Sequence, residues 1–103
     1  MAIKSPISFT ALLVLQALAQ GYKFGFDIMA VTGLPSGTIY PALRRLESLR
    51  LVASDWEKDV KARKEGRPRR RYYELTKAGK QHLKETEARV QAVGRLLPNR
   101  STT

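Results

Sequence analysis

Arg44 and Arg45 follow Ser36, Gly37, Thr38, Tyr40 and Pro41 within a single stretch of chain. At about 100° per residue, Ile39, Ala42, Leu43, Leu46 and Leu49 fall on one side of a helix. Gly37, Pro41, Arg44 and Ser48 fall on the other, flanked by Tyr40 and Arg45. A helix whose first turn is small and polar can lie deep in a major groove, and an arginine one turn later can donate two hydrogen bonds to a guanine edge. Taken alone, the same pattern also describes an ordinary amphipathic surface helix. Ser36 is expected to be the N-cap, because its hydroxyl can accept from a first-turn amide. Pro41 is tolerable only near the helix start, where amides lack intrahelical partners.

A second group of cations lies further on. Lys61, Arg63, Lys64, Arg67, Arg69, Arg70 and Arg71 are opposed between Lys58 and Arg71 by Asp59 and Glu65 alone. Such a run is suited to phosphate contact, although a solvated loop has the same composition. The whole chain has 103 residues, 19 Lys and Arg against 9 Asp and Glu, and a net charge of +10. That excess favours a polyanion, either nucleic acid or an anionic membrane surface. Hydrophobic residues make up 43% of the chain, enough for one domain with a modest core.

Other chemistry is poorly supplied. With no Cys there are neither disulfides nor thiolate ligands, and His82 is the sole histidine. Gly33 and Gly37 do not form a phosphate-binding loop of the Gly-Lys-Ser/Thr type. No paired carboxylates suit acid–base work. The expectation is therefore a non-enzyme without metal or cofactor.

These residues need positioning elements. Ser8 or Thr10 can cap a first helix that runs to about Gln20 and stops at Gly21. Lys4, the apolar run to Leu15 and Ala17-Leu18-Ala19 imitate a secretory signal. Ser8 and Thr10 interrupt that run, however, and Phe9, Leu12, Leu13, Leu15 and Leu18 suit a buried central helix. The run is also too short to span a bilayer, so a cytoplasmic protein is expected. A second helix spans Gly25 to Thr32, with Gly33 as its stop. After Leu34-Pro35 comes the helix that opens this section, giving a helix-turn-helix. Leu51 to Trp56 and Arg69 to Leu75 read as strands, and Lys58 to Pro68, with Gly66 and Pro68, reads as the loop between them. The pair forms a hairpin with a basic tip, a wing. Thr76 caps a last helix from Lys77 to about Leu97, closed by Pro98. On it Leu83, Val90 and Leu97 recur every seven residues, with Thr86 and Val93 between them, a thin seam that suits a second copy of the chain. The same seam could instead pack on the first helix of its own chain.

The fold class is thus mainly α with a two-stranded wing. A winged helix-turn-helix covers 1–75, a dimerisation helix 76–98, and a loose tail 99–103. Several stretches resemble the PadR family of bacterial winged-helix transcription regulators: Phe24-Gly25-Phe26-Asp27-Ile28, Ser36 through Glu47, Ser54-Asp55-Trp56-Glu57, and Gly66 through Gly79. The resemblance covers about residues 9 to 97. It implies a homodimeric regulator of double-stranded DNA, a repressor more often than an activator, paired through its terminal helix and first helix. Two features depart from the family pattern, a long basic wing loop at Lys58 to Glu65 and a short turn at Gly33 to Pro35. With one helix after the wing, the chain resembles the short branch of the family, which has no larger C-terminal domain. In that branch a small-molecule effector can sit between subunits. Trp56, Met29 and the phenylalanines could line such a site, but are expected as plain core.

The residues expected to meet DNA are Ser36, Gly37, Thr38, Tyr40, Pro41, Arg44, Arg45, Lys64, Arg67, Arg69 and Arg70. Those expected to pair the subunits are Leu83, Val90, Val93 and Leu97. An RNA-binding winged helix and a basic protein-interaction module are the competing readings.

Overall fold

A computed structural model describes residues 8–97. Lys4 at the start of the signal-like run, the closing Pro98 and the expected tail all lie outside them. The order of elements is α1 (Phe9–Ala19), α2 (Gly25–Thr32), α3 (Ser36–Ser48), β1 (Val52–Trp56), α4 (Asp59–Lys64), β2 (Arg71–Leu75) and α5 (Lys77–Leu96).

Of the two candidate caps for α1, Ser8 is the one used; its hydroxyl accepts from the Ala11 amide at 3.1 Å. The buried stripe of α1 is Ala11, Val14, Leu15, Ala17 and Leu18. Leu12 and Leu13 are half-buried and Phe9 is exposed, so the run faces inward along a narrower stripe than expected. Among the described residues no helix is long and apolar enough to cross a membrane. Helix α2 has the expected bounds. Gly33 ends it with φ of 74°, a left-handed conformation that glycine adopts without a Cβ clash.

Helix α3 starts differently from the expectation. Pro35, not Ser36, occupies the N-cap position, and no side chain caps the helix. The Pro35 backbone is extended, and its carbonyl accepts from both Thr38 (2.9 Å) and Ile39 (3.0 Å). Ser36 is therefore already helical, and its hydroxyl faces solvent. Pro41 lies in the second turn and has no amide hydrogen, so the Gly37 carbonyl lacks its usual donor four residues on. Both residues are exposed, so water can serve that carbonyl. On the opposite face, Ile39, Leu43 and Leu46 meet Val14, Leu15, Ile28 and Val52 in the core.

The wing is an antiparallel pair in register from Val52↔Leu75 to Trp56↔Arg71. Its second strand begins at Arg71 rather than Arg69, because the Arg70 amide turns to the Glu57 carboxylate instead of a backbone partner. The expected loop from Lys58 to Pro68 contains a helix, α4, which turns one small residue, Ala62, into the interior. Gly66, with φ of 66°, and Pro68 fall beyond its end. They punctuate the return to β2 and do not forbid the helix.

Helix α5 begins as expected, with the Thr76 hydroxyl accepting from Gly79 at 3.0 Å and donating to the Arg50 carbonyl at 2.7 Å. Gly79 lies so close to Leu51 that a Cβ there would collide with the Leu51 carbonyl. The heptad seam divides in two. Leu83 is 6% exposed and belongs to the core of its own chain, contrary to its expected role between subunits. Thr86 is buried beside it, because this part of α5 runs along α1, where Gln16 also donates to Glu87 at 3.2 Å. Beyond that contact Val90, Val93 and Leu97 are 55%, 50% and 64% exposed.

Leu83→Ala should therefore cost about 2–5 kcal/mol, as expected for a truncated core leucine. Urea unfolding at several protein concentrations checks this. The loss should be the same at each, whereas a loss that grows on dilution would return Leu83 to an intersubunit role.

Candidate nucleic-acid interface

The core-facing residues of α3 decide what its outer face shows. With Ile39, Leu43 and Leu46 turned inward, Ser36, Gly37, Tyr40, Pro41, Arg44 and Arg45 are exposed, and Thr38 is half-buried. Among the described residues neither Arg44 nor Arg45 takes part in an ion pair. Their guanidinium groups remain available as donors.

The wing spends some of its arginines on itself. Glu57 ends up buried, its side chain 4% exposed, just after β1. A carboxylate removed from water must be matched by donors. Arg67 supplies two, from Nη1 to Oε1 at 2.5 Å and from Nη2 to Oε2 at 3.0 Å. The Arg70 amide adds a third at 3.0 Å, and the Arg70 Nε a longer one at 3.4 Å. The Arg67 hydrogen bonds, with those of Arg70 behind them, hold the Glu57 carboxyl down to about 2 against the opposing effect of burial. The same contact raises the Arg67 guanidinium above its ordinary value. Arg67 also reaches Glu65 at 3.2 Å. It is thus a fastener of the wing and not the free phosphate contact expected from the arginine run.

A second network joins the wing to α3. The Ser54 hydroxyl donates to Glu47 at 2.6 Å, and Arg71 donates to Ser54 through Nη2 (2.7 Å) and Nε (3.0 Å). Arg71 also reaches Glu47 at 3.5 Å. Tyr73, next to Ser54 across the ladder, is buried, and burial raises its phenol above the usual value while the nearby Arg71 charge lowers it. The hairpin and the helix are therefore held at one mutual angle. Past this joint stands Trp56, 47% exposed, with the Arg69 and Arg71 guanidinium carbons 5.7 and 5.6 Å from its ring centre. Trp56 is not plain core, and nor are the exposed Phe9 and Phe26; the lone Phe24 of the three is half-buried, like Met29.

Arg69 pairs with Asp59 at 3.3 Å but keeps nearly half of its side chain in solvent, as does Arg70. Lys61, Arg63 and Lys64 are exposed on α4. The residues expected to meet DNA thus sort into a helix set (Ser36, Gly37, Thr38, Tyr40, Pro41, Arg44, Arg45), a wing set (Lys64, Arg69, Arg70) and the sequestered Arg67. Glu47, Ser54 and Glu57, which help set the geometry, are not singled out by the sequence, and Arg71 reads there only as one cation of the run. For Glu57 the signal was there, an acidic residue just ahead of a long basic run.

The profile of the PadR-like family of transcriptional regulators matches residues 14–85, from within α1 to within α5. The chain belongs to this family. Solved structures are similar over most of the chain. A PadR family transcription regulator from Clostridium difficile R20291 is 25% identical, with a TM-score of 0.75, and the match covers 86% of this chain and 94% of that one. A PadR-like transcription factor from Bacteroides fragilis is also 25% identical, with a TM-score of 0.70 and 84% of each chain covered. PcaV from Streptomyces coelicolor, solved in complex with its natural ligand, shares the fold at 20% identity and a TM-score of 0.72, over 91% of this chain and 62% of its own. No curated protein matches the chain. PadR-like regulators bind DNA, and the matched span contains both α3 and the wing.

The Glu57 fastening makes the wing of this PadR-like chain sensitive to acid. Its carboxyl ionises near 4.5 when the wing is open and near 2 when it is closed. The ionic stabilisation is therefore complete above about pH 4.5 and is lost as pH falls toward 2. Emission from Trp56, the single tryptophan, should change over that window in the parent and not in Glu57→Gln. An unchanged acid transition in Glu57→Gln would assign it to another group.

Proposed function

We propose that this PadR-like chain is a homodimeric, sequence-specific repressor that binds a near-palindromic operator in double-stranded DNA. The observation that carries the reading is the outer face of α3, where Arg44 and Arg45 stand without ion-pair partners among the described residues, beside a basic wing bonded to that helix through Ser54 and Arg71. In this reading α3 enters the major groove. Gly37 and Pro41 let the helix approach closely, and Arg44 reads a guanine edge with two hydrogen bonds. Tyr40 meets a phosphate or a thymine methyl. Ser36, Thr38 and Arg45 hold the flanking backbone; the Ser36 hydroxyl, unused as a cap, is available for it. Lys64, Arg69 and Arg70 contact phosphates from the wing.

The exposed Val90, Val93 and Leu97 support pairing of two chains through the far end of α5, with Leu96, 83% exposed, beside them. Leaving these residues in water forfeits the gain from burying apolar surface, and a second copy would recover it. A two-fold dimer would place two α3 helices about 34 Å apart, one turn of duplex. Occupying a promoter in that way would block transcription, hence the repressor reading.

Sedimentation should show a dimer at micromolar concentration and a monomer when Val90 and Leu97 are both changed to Asp, since unpaired charges would enter the interface. A monomeric parent would end the pairing idea. Selection from randomised duplexes should give a symmetric site for the parent. Arg44→Ala should lose about 1–3 kcal/mol of discrimination at one symmetric pair of positions. Lys64→Ala and Arg69→Ala should instead weaken all duplexes alike and lower the salt slope by about one each. An asymmetric site, or equal competition by structured RNA, would count against the proposal.

A further inference from the structure

The start of α2 is fastened to the wing. The Lys23 carbonyl accepts from the Tyr73 amide at 2.8 Å, and Phe24 forms an isolated antiparallel bridge with Tyr72. The Arg70 guanidinium lies 4.0 Å over the Phe24 ring. Gly25, the next residue and the first of α2, is buried. Its φ is outside the left-handed region, so backbone conformation does not demand a glycine there. Space does. A Cβ on Gly25 would lie 2.5 Å from the Tyr40 hydroxyl oxygen and 2.6 and 2.7 Å from its Cε1 and Cζ. The outer end of the Tyr40 ring thus rests on the bare backbone of Gly25.

We infer that Gly25 is a specificity-setting positioning residue: its missing side chain is the seat that fixes Tyr40 on the DNA-facing side of α3. The inference rests on the proposed DNA reading of α3. The fastening of residues 23 and 24 to β2 decides what an added methyl would displace. The backbone at Gly25 is held by the wing, whereas Tyr40, 37% exposed, is free to swing outward on its own rotatable bonds. Anything larger than glycine therefore moves the ring. No group of Gly25 itself need touch DNA for this to alter which sites are bound.

The test is a cycle of Gly25→Ala, Tyr40→Ala and the double variant. Each is measured for melting temperature and for affinity to the selected operator and to versions of it altered at one base pair. Gly25→Ala should reduce discrimination about tenfold, within the range of one good base contact, while the salt slope stays that of the parent. The double variant should match Tyr40→Ala in both discrimination and melting temperature, because the seat has no further function once the ring is gone. Additive losses would overturn the inference, as would full discrimination in Gly25→Ala alongside a loss in Tyr40→Ala. If Tyr40→Ala itself discriminates like the parent, then Tyr40 meets a phosphate and not a thymine methyl, and the inference fails while the DNA reading of α3 stands. Should Gly25→Ala alone not fold, recovery of folding in the double variant supports the seat, and its failure to recover overturns it.

Discussion

A carboxylate that has left water must be answered by donors wherever it goes, and in this chain the wing is built around that obligation. Two strands of five residues make a marginal sheet by themselves. Glu57, buried where β1 ends, draws in Arg67 from the far side of α4 and the backbone of Arg70 from the lead-in to β2. The return path of the chain is closed by that one acid. It also offsets some of the repulsion that a crowded run of arginines would otherwise feel. Removing Arg67 would leave this buried carboxylate with the Arg70 donors alone, a loss larger than what the pair itself contributes.

The cations of the wing consequently divide by function. Arg67 and Arg71 are held by acids and a hydroxyl of the chain itself, and they set shape. Lys61, Arg63 and Lys64 stay in solvent on α4, and Arg69 and Arg70 are partly engaged. Net charge sets the attraction to a polyanion, and of the wing cations the second group keeps its side chains largely in solvent. The joint through Glu47, Ser54 and Arg71 then sets where those side chains lie relative to α3.

How far the chain could be read in advance follows the range of the forces involved. Gly33 after α2 and Thr76 before α5 act on their own neighbours, so residue type alone located those boundaries. The apolar face of α3 was equally legible, because its period is local. Helix α4 was not, since its tie to the interior is a single alanine among charges. Arg67 looked like its neighbours because its partner lies ten residues away and faces inward only once the hairpin has formed. Leu83 and Val90 occupy equivalent heptad positions; what separates them is where α1 runs out, a tertiary fact. The hydroxyl of Ser36 suits the cap of α3 by residue type, yet the helix closes one residue earlier, on the carbonyl of Pro35, which receives two amides.

The proline in α3 has one more consequence. Because Pro41 brings no hydrogen, the Gly37 carbonyl keeps an acceptor that helices ordinarily spend on themselves, and it does so on the exposed face. Exocyclic amino groups on cytosine and adenine are donors of the kind that such an oxygen can take. This acceptor belongs to the main chain, so alanine scanning passes over it at position 37. The one replacement that extinguishes it is at position 41, where any other amino acid would restore the missing amide and turn the oxygen back into the helix.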